Sequence, residues 1–116
     1  MSGSSNACQT VGRAGVGESG ASSLLHHQVT GEVEINVVLR VIDTSLCPNT
    51  GVVGVLTVNG IPMAVGDLTK PGATVSTTAT PSDRVVAIMH TVPLFNDTVC
   101  IRLGELTAEL QQCDLV

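Results

Sequence analysis

Between Gly31 and Asp43 the chain reads GEVEINVVLRVID, and its apolar side chains recur with a period of two. On an extended backbone this places Val33, Ile35, Val37, Leu39 and Val41 on one face and Glu32, Glu34, Asn36, Val38 and Arg40 on the other. Such alternation specifies a half-buried strand and does not suit an amphipathic helix. The preceding HHQVT is expected to continue the same strand past Gly31, a residue that accommodates a bulge or bend.

Strand signals recur along the rest of the chain. In GVVGVLTVNGIPMAVGD, Asn59 and Gly60 separate two apolar runs. Both residues tolerate positive φ, so a two-residue type I′ hairpin is predicted there. Pro62 lacks the amide donor that a ladder needs, which makes the returning strand an edge or one that pairs only at its other positions. DLTKPG supplies the next turn, and the Thr-rich ATVSTTAT suits a half-exposed pleated surface. After PSD, the run RVVAIMHTV is apolar on both faces and is predicted to be a central strand, and PLFND turns the chain into TVCIRL. The closing GELTAELQQCDLV alternates as a strand at Leu106, Ala108 and Leu110, while residues 105–112 also have fair helix propensity; its shortness and lack of a cap favour a strand.

Seven or eight strands separated by turns, with no long amphipathic helix, predict an all-β fold: an antiparallel β-sandwich of jelly-roll or Greek-key type. Residues 24–116 form this domain. Residues 1–23, containing SGSSNACQTVGRAGVGESGASS, read as a flexible N-terminal connector arm that carries a cysteine, Cys8. A body of about 90 residues is near the lower end of what buries a self-sufficient core.

Composition narrows the function. Hydrophobic residues make up 43% of the chain but aromatic ones only 1%, the single Phe95, so the core must be aliphatic and no stacking platform for bases or sugars is available. Five Lys and Arg and a net charge of -5 argue against nucleic acid and anionic membrane surfaces as partners. No run of 18 apolar residues is present to span a bilayer as a helix. No basic region followed by an apolar core succeeds Met1, so either a secretion signal has been removed or export takes another route.

The four cysteines, Cys8, Cys47, Cys100 and Cys113, are widely spaced with no C-x-x-C pair, which disfavours zinc-ribbon and thioredoxin chemistry. All four are disulfide candidates, with three full pairings open, and each bridge would be worth about 2–4 kcal/mol to a thin core. Disulfides would place the mature protein in an oxidising location. The three histidines, His26, His27 and His90, suggest a metal site only weakly, because neighbours on a strand point to opposite faces. Cys100 and His90 lack a third orienting group, and the glycines of GRAGVGESG lack the strand, helix and Lys-Ser/Thr ending of a phosphate loop. No catalytic residue, metal or cofactor is expected, and the chain does not read as an enzyme.

An aromatic-poor sandwich with a cysteine-bearing arm is suited to contacting its own kind, since open sheet edges can pair between copies. The short Gly/Ser/Asn-rich connector with Cys8, followed by VLTVNGIPMAV, KPGATVSTT and VCIRL, resembles the endospore appendage (Ena) fibre subunits. That resemblance implies a self-assembling sandwich whose N-terminal connector forms disulfides to neighbouring subunits. Cys8 would match the connector cysteine, Cys100 a strand acceptor and Cys47 a further acceptor. A single arm cysteine and a longer connector depart from the family pattern. The expected function is therefore a structural homopolymer subunit of an extracellular, spore-surface or cell-surface fibre, with itself as partner. The alternatives are a virion decoration or baseplate protein and a small binding sandwich. If Cys8 instead bonds within its own chain, the arm is a staple for the core.

Overall fold

A computed structural model of the chain describes residues 7–15, 22–42, 50–70, 72–93 and 107–115. Within them lie eight strands: β1 (Cys8–Gly15), β2 (Ser22–Gln28), β3 (Ile35–Val41), β4 (Thr50–Val58), β5 (Ile61–Asp67), β6 (Thr74–Ala79), β7 (Arg84–Pro93) and β8 (Thr107–Asp114). They form two antiparallel four-stranded sheets, in the orders β1-β8-β3-β6 and β2-β7-β4-β5. The pairing is nested: first with last, second with seventh, third with sixth, fourth with fifth.

The two sheets pack as a sandwich because each presents one apolar face. Ile35, Val37, Leu39 and Val41 of β3 are buried, and directly opposite Leu39 and Val41 on β8 stand the buried Leu110 and Ala108. From the second sheet come Val85, Ala87 and Met89 of β7 and Val52 and Leu56 of β4, all at most 1% exposed. The core is aliphatic, as an almost aromatic-free composition requires. Its layers meet closely at Gly54, where an added Cβ would stand 2.7 Å from Leu68 Cδ1 and 2.8 Å from Leu39 Cδ2. A side chain there would occupy space that leucines from elsewhere in the core already fill.

The hairpin at Asn59 and Gly60 is present, with φ of 53° and 84° as a type I′ turn needs. β5 is an edge strand, and the ladder with β4 is irregular between Leu56 and Thr57, the latter facing Pro62. β7 is central, and the C-terminal segment is a central strand of the first sheet.

Two expectations are corrected. HHQVT and the alternating segment after it are not one strand: β2 belongs to the second sheet and β3 to the first. The chain crosses between layers over 29–34, with Gly31 at φ 113°. Val29 still bonds to Asp83 O and Ser82 N, but the rest of the crossing segment has no ladder partner, so β3 starts only at Ile35 and Val33, expected on the buried face, is 70% exposed. The connector arm is likewise not free throughout. Residues 8–15 form β1, registered against β8 from Cys8↔Cys113 to Gly15↔Thr107, and β2 starts within the expected arm at Ser22. β8 offers an unpaired edge to whatever extended segment reaches it, and this segment satisfies those backbone groups despite its glycines.

Candidate interaction surfaces

The cysteine on the arm is joined to its own chain. Cys8 and Cys113 form a disulfide with Cα atoms 4.0 Å apart. Asp114 N donates to Ala7 O at 2.9 Å, so the adjoining 7/114 positions are hydrogen-bonded and 8/113 is a non-hydrogen-bonded pair. In an antiparallel ladder that is where opposed side chains come closest. Cys47 and Cys100 lie outside the described residues. Cys8 as a hook for a neighbouring subunit is therefore replaced by Cys8 as a staple, because its partner is directly opposite within the same sheet.

Directly opposed residues share a face, so the register sorts the outer surfaces. The outer face of the first sheet is polar apart from Val38, which stands between Ser76 and Gln111. It carries the Cys8–Cys113 bond, the Thr10↔Gln111 pair, and Glu109 opposite both Arg13 and Arg40. Glu109 is buried, and its Oε2 takes Arg13 Nη2 at 3.0 Å and Nε at 3.1 Å. Its Oε1 accepts from Gln111 Nε2 at 2.9 Å and lies 3.5 Å from Arg40 Nε. Thr74, Ser76 and Thr78 continue this polar surface onto β6.

The outer face of the second sheet is different. One register row crosses all four strands as Leu24↔Ile88↔Val55↔Val65, apolar at every position. On one side of it runs His26↔Val86↔Thr57↔Pro62, and on the other His90↔Val53↔Asp67. Leu24 is 52% exposed and Val65 71%. At the β5 edge Ile61 and Met63 are also exposed. The sequence signal for this surface is the apolar character of RVVAIMHTV on both faces.

The end of this sheet holds two shallow recesses on either side of Arg84. One, of about 450 Å³, is lined by Asn59, Gly60, Ser82, Arg84 and Val86; the other, of about 320 Å³, by His26, His27, Gln28 and Arg84. The Asp83 carboxylate is committed to the turn: it accepts from Thr80 N at 2.9 Å, Thr80 Oγ1 at 3.0 Å and Asn59 Nδ2 at 2.9 Å. Those bonds, the Thr80 amide first, hold its pKa below 3.8. The Arg84 guanidinium has no ion pair among the described residues.

The histidines do not converge. His26 and His90 are registered on the outer face, while His27 Nε2 lies 2.9 Å from Gln112 Oε1 of the opposite sheet. Gln112 Nε2 also donates to Thr30 O at 2.7 Å, so this glutamine ties the two layers together at the chain crossing. Among the described residues no three His, Cys, Asp or Glu side chains gather as metal ligands would. Comparison with family models, with curated proteins and with solved structures gives no match.

Proposed function

We propose that this chain is a structural subunit that assembles with copies of itself through sheet-edge contacts, into a fibre or appendage outside the cell. The observation that carries this reading is the state of the edges. Monomeric sandwiches blunt their edge strands with lysines, prolines or bulges. Here the four edge strands β1, β2, β5 and β6 contain no lysine; β5 carries Pro62 and a ladder irregularity and β1 a register shift between Thr10 and Gly12, but β2 and β6 pair regularly and carry neither device. Ile61, Met63 and Val65 stand exposed on β5, and the Thr-rich β6 presents an uncharged edge. An internal disulfide is compatible with an extracellular location. It also changes the assembly expected: contacts between copies that involve β1 are non-covalent while Cys8 is bonded to Cys113.

Negative-stain microscopy and light scattering on purified, oxidised protein test this. Filaments or large regular oligomers that Met63→Lys and Thr78→Lys disperse support edge-mediated assembly. A discrete monomer at high concentration overturns it and favours a lattice-decorating or ligand-binding module.

A further inference from the structure

We propose that the outer face of the second sheet is a self-complementary interface that receives the same face of a second copy. The inference rests on the self-assembly reading above and adds to it a face-to-face contact that the edges alone do not supply.

Three observations carry it. The first is the contrast between the two outer faces: polar except for Val38 on one sheet, apolar across the full row from Leu24 to Val65 on the other. A contiguous apolar surface on one side of a small domain marks an interaction site. The second is charge. Along β7 the outward positions run Arg84, Val86, Ile88, so Arg84 lies on one side of the apolar row; Asp67, two residues beyond Val65 on β5, lies on the other. Asp83, the neighbour able to neutralise Arg84, is used up by Thr80 and Asn59. Asp67 is held ionised chiefly by hydrogen bonds from the Thr69 hydroxyl and amide, which leave the carboxylate exposed. The third is symmetry. A two-fold axis lying in the face, passing close to Ile88 and tilted by about 25° from the apolar row, lays Ile88 against its twin and brings Arg84 of each copy over Asp67 of the other, because those two residues stand two strands and three register rows apart. One operation thus satisfies both the apolar and the charged groups, as an isologous contact requires.

Size sets the strength. Four strands about 4.8 Å apart and three register rows give roughly 400 Å² per copy, or about 800 Å² in all, below the range of stable dimers. The contact is expected to be a weak, concentration-dependent dimer that becomes effective when many copies are held in one assembly.

Sedimentation equilibrium of the full oxidised chain, from about 5 μM to about 500 μM, reads it out. Ile88→Glu, on a central strand away from every edge, should raise the dimer dissociation constant at least about tenfold, the equivalent of placing an unpaired charge in an apolar contact. Arg84→Glu, an exposed substitution that leaves the core intact, should weaken the dimer about fivefold, and adding Asp67→Arg to it should recover most of that loss. Far-UV circular dichroism verifies that each variant is folded. Folded variants that associate as the unmodified chain does overturn the proposal. If association survives Ile88→Glu and Arg84→Glu but is lost with Met63→Lys and Thr78→Lys, the edges act alone and the face proposal fails. The reverse pattern keeps the face and removes the edge reading. A chain that stays monomeric throughout overturns both.

Discussion

Reducing the Cys8–Cys113 bond, or replacing Cys8 by serine, should cost this protein a large share of its stability. The bond joins residues 105 apart in sequence, and loop-closure entropy for a link of that span amounts to about 4.8 kcal/mol at 25 °C. That is a ceiling. β1 lies at the edge of its sheet and Cys8 at the strand's first residue, so the reduced native state regains freedom by fraying there. A realised loss of about 3 kcal/mol is expected. Against a total of about 5–15 kcal/mol for a domain of this size, that is decisive but not fatal. With a urea slope of about 1.5 kcal/mol/M, the unfolding midpoint should fall by about 2 M. The assay is urea unfolding of oxidised wild type, of wild type reduced and alkylated, and of Cys8→Ser, followed by circular dichroism. Peptide mapping without reduction should recover the fragment holding Cys8 linked to the one holding Cys113 of the same molecule. Coincident midpoints, or mapping that joins Cys8 to Cys47, Cys100 or another chain, would refute the reasoning.

Other perturbations probe separate parts of the fold. Gly54→Ala should lower stability by about 1–3 kcal/mol, read by thermal unfolding, because its methyl group would overlap both Leu39 and Leu68. Glu109→Gln removes the charge shared by Arg13 and Arg40 while keeping an acceptor for Gln111, so a loss of about 1–2 kcal/mol is expected by urea unfolding. The folded-state pKa values of Asp67 and Asp83 are depressed below 3.8, so the stability linked to them is present above that pH and lost as pH falls through the lower folded values. Melting temperatures measured between about pH 5 and pH 2 should fall with acidification below about 3.8, and Asp67→Asn with Asp83→Asn should flatten that fall. An unchanged acid slope in the double variant would remove these turns as its source.

Much of the sandwich could be read along the chain because its determinants are local. Alternation at 35–41 fixes which side of β3 faces the core, and Asn59-Gly60 fixes a hairpin through the backbone conformations those two residues allow. The apolar character of both faces of β7 marks it as central. What sequence pattern could not supply is which strand lies beside which. Val33 looks like a core residue by period, and only the crossing between sheets at 29–34 makes it a solvent-facing one.

The same division applies to the functional surfaces. The sequence by itself determined an aliphatic, antiparallel sandwich with four cysteines and no aromatic or basic binding platform, since composition and short-range pattern suffice for that. The tertiary structure alone decided that Cys8 meets Cys113, that Glu109 sits between two arginines, and that Leu24, Ile88, Val55 and Val65 line up across one exposed face. Each of these is a contact between residues far apart in sequence. Strand order and register select such contacts, and both follow from how two whole sheets bury their inner faces together.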